Sequence, residues 1–167
     1  MYIFKMAHIS KGDTIPDANL YTLEEGAPKA HRTHDLFKGK KVVIFGLPGA
    51  YTTTCSQKQV PEYYSRLSEF TDKGIDGVYC ISVNDPFVMQ SWAKSLDVDT
   101  DKLCFLGDGD AWWHQMMGLT QTLGGLGTRA LRYSMMLDDL KVQHLNVEEP
   151  GPMCYRISGP STILKQL

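Results

Sequence analysis

The sequence predicts an α/β fold with a mixed central sheet flanked by helices, and three features carry that prediction. A run at residues 42–47 is apolar on both faces, as in a strand buried between layers. Helical and strand patterns alternate after it. An alternating segment at 131–137 is then followed by a turn and a partner strand, so parallel strands come first and a hairpin afterwards.

Taken in order, the segment up to about Glu25 carries turn formers (Gly12, Asp13, Pro16, Asp17) between short apolar stretches and reads as extended chain or a hairpin. Lys40 and Lys41 open the first buried strand, which stops at Pro48-Gly49. From about Thr53 the apolar residues Val60, Tyr63, Tyr64, Leu67 and Phe70 recur at helical spacing, with a kink expected at Pro61 and a cap at Gly74. Residues 77–83 form a second strand. Asp85-Pro86 then starts a helix with Val88, Met89, Trp92 and Leu96 on its apolar face. A short strand (103–106), a short helix (110–117) and a glycine-rich loop (124–127) follow. In 131–137, Leu131, Tyr133, Met135 and Leu137 share one face and Arg132 takes the other. Asp138-Asp139 turns the chain into a partner strand at 140–146, and a helix at 161–167 closes it.

The 167 residues, 43% hydrophobic and 22% charged, suit one ordinary domain covering 1–167, with no linker or repeat to divide it. A net charge of −2 offers no positive field for phosphates, so a nucleic-acid partner is not expected. The apolar runs are far shorter than the roughly 20 residues of a membrane helix. The first eight residues hold only a three-residue apolar stretch before Lys5, too short for a secretory core. Four widely spaced cysteines (Cys55, Cys80, Cys104, Cys154) then read as reduced thiols of a cytoplasmic protein, or of an organelle if a transit peptide has been removed.

Cys55 falls just past a strand end, within the first turn of a helix, where unpaired N–H groups and the helix dipole favour a thiolate. Its polar neighbours, residues 52–54 and 56–58, argue against a core position. Thr52 lies three residues before it, on a neighbouring part of the helical wheel.

Pro48-Gly-Ala-Tyr-Thr52-Thr-Thr-Cys55 matches the Pro-x-x-x-Thr-x-x-Cys motif of peroxiredoxins, and Arg132-Tyr-Ser-Met resembles that family's later arginine segment. From about Gly12 onward the chain is similar to the type II (Prx5-type) peroxiredoxins, Ile81-Ser-Val-Asn-Asp-Pro-Phe87 included; Tyr51 and Thr53 depart from the commoner phenylalanine and proline. The resemblance implies a thioredoxin-like fold and a thiol peroxidase that needs no cofactor or metal. It implies Cys55 as the peroxidatic nucleophile, with Thr52, Arg132 and Pro48 completing the pocket and Arg129 as the rival arginine. Hydroperoxides would be reduced through a cysteine sulfenic acid. Cys80 and Cys154 are the resolving candidates; a one-cysteine route would use glutathione, glutaredoxin or thioredoxin directly. A homodimer is also implied. The alternative from another class is a peroxide-sensing switch or holdase without turnover.

Other residue groups carry simpler readings. Lys58 stands where a Cys-x-x-Cys motif would have its second cysteine. His31 and His34 read as surface residues, Gly107-Asp-Gly-Asp110 as a turn, and Trp112-Trp113 as a partly buried pair. Cys104, between Leu103 and Phe105, reads as packed core.

Overall fold

The structure, a computed structural model, describes residues 7–167. The apolar stretch at residues 2–4 lies outside them. Nine strands and six α-helices follow in the order β1 (Asn19–Glu24), β2 (Ala27–Arg32), α1 (Thr33–Phe37), β3 (Lys41–Leu47), α2 (Val60–Ser65), α3 (Leu67–Asp72), β4 (Gly77–Ser82), α4 (Pro86–Ser95), β5 (Cys104–Gly107), α5 (Trp112–Met116), β6 (Thr120–Leu123), β7 (Gly127–Ala130), β8 (Tyr133–Asp138), β9 (Lys141–Val147) and α6 (Pro160–Gln166). A π-helical turn, Cys55–Gln59, leads directly into α2.

Seven strands form one sheet in the order β2-β1-β5-β4-β3-β8-β9. β3, β4 and β5 are parallel, whereas β8 runs antiparallel to β3 and β9 to β8. This is the mixed sheet that the order of elements predicts. Strand alternation splits the core in two. Val43, Phe45 and Leu47 pack on one face with Tyr63, Trp92, Cys55 and Cys80. Val42 and Ile44 pack on the other with Trp113, Tyr133, Met135 and Leu137. Burying β3 on both faces explains why its sequence is a continuous apolar run.

Four local features differ from the sequence reading. The leading hairpin turns at Glu25-Gly26, both at positive φ, and not at the turn formers around residues 12–17. That earlier segment instead lies along β9, where Gly12 donates to Val142 O and Val142 donates to Asp13 O. At Pro61 the irregularity is a π turn: Val60 N–H bonds Cys55 O, five residues back, just before the proline that has no N–H to continue the ladder. The helix is actually interrupted at Arg66, which leaves helical geometry (φ −117°, ψ 15°). The glycine-rich loop is the tip of a two-stranded hairpin, β6–β7, apart from the main sheet. Among the described residues no helix is long and apolar enough to cross a membrane.

Other expected signals have local counterparts. Asp85 caps α4 by accepting from Val88 N–H at 2.9 Å, and Gly74 ends α3 at φ +79°. Asp139 and Leu140, both at positive φ, make the tight β8–β9 turn.

Candidate active site

The site is assembled where β3 ends. Pro48 is buried just beyond the strand, and the chain then winds through Tyr51, at φ +63°, into the turn that starts at Thr53. Two side chains of β4 and its following loop hold this turn: Asn84 Oδ1 accepts from Ala50 N–H at 2.9 Å and from the Ser82 hydroxyl at 2.7 Å. Trp92 of α4 donates its indole N–H to Ser56 Oγ at 3.0 Å, and the Tyr51 and Ser91 hydroxyls are 2.7 Å apart.

Cys55 is fully buried, at 0% exposure, in the apolar cluster beneath the helix. This corrects the expectation that its polar neighbours keep it out of the core. Those neighbours point elsewhere: Thr53, Gln57 and Lys58 are exposed on the outer face of the turn, and the sulfur faces inward.

What the sulfur meets is Arg132. Leu131 and Tyr133 belong to the cluster on the far face of the sheet, so strand alternation throws Arg132 to the near face. Its guanidinium is 1% exposed and makes four hydrogen bonds. Nη1 donates to Cys55 Sγ at 3.2 Å and to Gln59 Oε1, Nε to Cys154 O at 3.0 Å, and Nη2 to Pro152 O at 2.8 Å. None of these acceptors is a carboxylate. The Tyr155 ring lies 5.9 Å from the guanidinium carbon. A guanidinium has five N–H donors, so one remains for another oxygen.

Thr52, three residues before Cys55, is half-buried, and its hydroxyl donates to Gly49 O at 2.8 Å rather than to the sulfur. Its lone pairs are left to accept from an incoming O–H group. Arg129 turns to the outer wall, donating to Pro48 O at 3.3 Å and to Leu126 O at 3.0 Å. A side chain at Gly49 would collide with Arg129, its Cβ falling 2.4 Å from Nη1. Of the two arginines, Arg132 is the one hydrogen-bonded to the sulfur.

The resolving candidates occupy different surroundings. Cys80 is fully buried on β4, and burial, helped by the negative charge potential of Cys55 and Cys104, pushes its thiol well above the ordinary range. Cys154 is half-buried in the loop after β9, with its S–H directed to Glu148 Oε2 at 3.6 Å. The other Glu148 oxygen accepts from the backbone of Arg156, Ile157 and Ser158 and from the Ser158 hydroxyl, at 2.6 to 2.9 Å. Burial alone would raise this carboxyl, but those bonds outweigh it and hold Glu148 below its usual value. Cys104 is half-buried, its thiol raised to about 11 by burial and by Asp101.

Gln59 and Glu148 went unnoticed in the sequence. A glutamine within a polar stretch carries no signal that it points inward. Its spacing of four from Cys55, which shares a helical face, is the one available clue. Elsewhere His31 and His34 are engaged separately, by the Thr22 hydroxyl and by Ile15 O. The tryptophan pair divides: Trp113 is buried and Trp112 is 60% exposed.

A thioredoxin-type sheet that carries a buried cysteine in an opening helical turn, faced by an unneutralised guanidinium, defines the class of thiol-dependent peroxidases. The chain belongs to the Redoxin family, whose model matches residues 10–157, and within it to the type II peroxiredoxins. It is 41% identical over 165 residues to Peroxiredoxin-2B of Arabidopsis thaliana, covering 97% of this chain and 100% of that one. It is 49% identical over 135 residues to the mitochondrial Peroxiredoxin-2F of the same plant, a match covering 80% of this chain and 66% of the relative's own length. Among solved structures, reduced Prx3 in complex with H2O2 from Vibrio vulnificus superposes with a TM-score of 0.87 at 36% identity, covering 95% and 98% of the two chains. Peroxiredoxin 5 from Alvinella pompejana gives 0.81 at 30% identity, covering 94% and 96%.

Proposed function

We propose that the chain reduces hydrogen peroxide and organic hydroperoxides with Cys55 as the nucleophile. The observation that carries this reading is the Arg132 Nη1 to Cys55 Sγ contact at 3.2 Å, made by a buried guanidinium with no carboxylate partner. Such a donor stabilises a thiolate and, as the O–O bond lengthens, the charge that moves onto oxygen. The thiolate attacks the terminal peroxide oxygen, forming an S–O bond as the O–O bond breaks. Cys55 leaves as sulfenic acid, and the departing alkoxide or hydroxide takes a proton from solvent to become alcohol or water. Thr52 accepts from the peroxide O–H and fixes its line of approach, while Pro48 shields the sulfur from bulk solvent.

Reduction of the sulfenic acid needs two thiol equivalents, one to form a disulfide and one to release it. We assign these to an external donor such as glutathione, glutaredoxin or thioredoxin. The Cys80 thiol, which burial pushes well above the ordinary range, and the orientation of the Cys154 thiol toward Glu148 support this assignment over an internal partner. Four free cysteines suit a reducing compartment, the cytoplasm or an organelle. The chain acts as one domain and as a homodimer. Supporting the dimer are the exposed apolar side chains of Tyr51, Phe87, Leu126 and Met153.

Steady-state peroxide consumption with a thiol donor is the test. Cys55→Ser is expected to abolish it, and near-normal turnover in that variant would remove the proposal. Repeated turnover also separates an enzyme from a sensor, which needs to react only once.

A further inference from the structure

We propose that Arg129 is a specificity-determining residue of this site, a seat for a carboxylate that a reactant carries a few bonds from its reacting group; this rests on the reading of Cys55 as the nucleophile. Arg129 is half-buried on β7, and its guanidinium is held at two points by the backbone. Nε donates to Leu126 O at 3.0 Å, in the hairpin tip. Nη1 donates to Pro48 O at 3.3 Å, at the head of the segment that leads to Thr52 and Cys55. Both acceptors are neutral carbonyls, so among the described residues the charge of Arg129 is fixed in place without being cancelled. A guanidinium has five N–H donors, and those not used here, one on Nη1 and the pair on Nη2, remain for a ligand.

The position of this unused charge decides what it can hold. A Cβ at Gly49 would lie 2.4 Å from Arg129 Nη1 and 3.6 Å from Thr52 Cγ2, so the two side chains flank the bare backbone of residue 49. Thr52 is the residue that accepts from the peroxide O–H in the reaction proposed above. A carboxylate seated on Arg129 therefore keeps a hydroperoxide within reach of Thr52 when only a few bonds join the two groups. The thiol that reduces the Cys55 sulfenic acid approaches the same sulfur, so a carboxylate on that donor is the other source of the same chemistry. Either one can be taken through two parallel N–H bonds, the geometry that suits a planar guanidinium.

Arg129→Gln and Arg129→Lys test this in the full chain with two matched pairs of reactants. The first pair is γ-hydroperoxyisocaproate and its methyl ester. The second, used to reduce the Cys55 sulfenic acid, is mercaptopropionate and its methyl ester. Members of a pair differ by one charge, so the quantity read is the rate constant of the acid divided by that of the ester. In Arg129→Gln this ratio is expected to fall about fivefold or more in at least one pair, and Arg129→Lys, which keeps the charge, to recover part of it. A fall in the first pair assigns the seat to the hydroperoxide, and a fall in the second assigns it to the donor. A residue that merely clamped Pro48 would slow acid and ester alike. Ratios within about twofold of those of the unmodified chain in both pairs overturn the proposal. Should the unmodified chain consume no peroxide, the functional reading fails, and the NMR resonance of the Arg129 Nε–H still judges the seat. Titration with isocaproate is expected to shift that resonance, and one that stays in place overturns the proposal.

Discussion

At the scale of single residues the site turns on how Arg132 is paid for. A buried guanidinium is ordinarily neutralised by a carboxylate, yet here its recorded acceptors are a sulfur, an amide oxygen and two backbone carbonyls. The positive charge thus remains available to the thiolate and to the breaking peroxide bond. Lysine at this position would keep the charge but not the planar fork that reaches four acceptors at once. Arg132→Lys is expected to lose at least about a hundredfold in kcat/KM for peroxide, measured under conditions where the variant's melting curve shows it folded. Much of this was legible in the sequence: alternation through Leu131, Arg132 and Tyr133 assigned the arginine to the face opposite its neighbours, and the structure has it there. Burial of Cys55 was not legible, because a polar stretch on a helix with one inward face looks polar throughout. Glu148 was equally silent, since its partners are backbone N–H groups that any sequence supplies.

At the scale of elements, β3 and the loop after β9 each carry a constraint. Gly46 is pressed against the Tyr133 ring; a Cβ there would lie 2.0 Å from Tyr133 Cε1. The ring cannot easily withdraw, because its hydroxyl is 3.1 Å from His114 Nε2 and His114 Nδ1 is 2.7 Å from Asp108, all three side chains being buried. Gly46→Ala is therefore expected to destabilise the fold by about 1–3 kcal/mol or more, read as a lowered urea midpoint at unchanged slope. Glu148 has the matching role in the loop whose carbonyls at Pro152 and Cys154 hold Arg132. Its folded carboxyl is more acidic than the unfolded reference of 4.5, so its contribution is complete above that value and is lost as pH falls through the lower folded value. Amide exchange at residues 156–158, taken relative to the sheet at each pH, is expected to accelerate below about pH 4.5 as the carboxylate is protonated. Glu148→Gln should show the acceleration already at neutral pH. From β3 to α5, and again in β8 and β9, the element order was readable from periodicity and capping, whereas β2 and α1 lie in a stretch, residues 27–37, where the sequence offered no such pattern. The β6–β7 hairpin was hidden because four-residue strands with few apolar positions give no alternation to detect, and the π turn because its cause, the missing N–H of Pro61, also predicts an ordinary kink.

At the scale of the whole molecule the two-faced sheet ranks the three thiols other than Cys55 by access. Cys80 lies under α4 and the Cys55 turn with no exposed surface, whereas Cys104 and Cys154 are half-exposed. Alkylation of the native protein is expected to label Cys154 readily and leave Cys80 untouched until the chain is unfolded in denaturant, when all four react; mass spectrometry of the digested protein reads the order. Prompt native labelling of Cys80 would mean that β4 opens far more easily than its packing implies.

The same sheet ends, on the side away from the site, in β2, an outer strand exposed along nearly its whole length. Its second residue is Pro28, opposite Leu23 in the register, and Lys29 follows, paired with Glu24 at 2.6 Å. A ring without an amide hydrogen and a solvated ammonium spoil this border as a template for another backbone. Crowded copies of the protein are thereby discouraged from knitting their sheets into fibrils, and recognition between molecules falls to side chains.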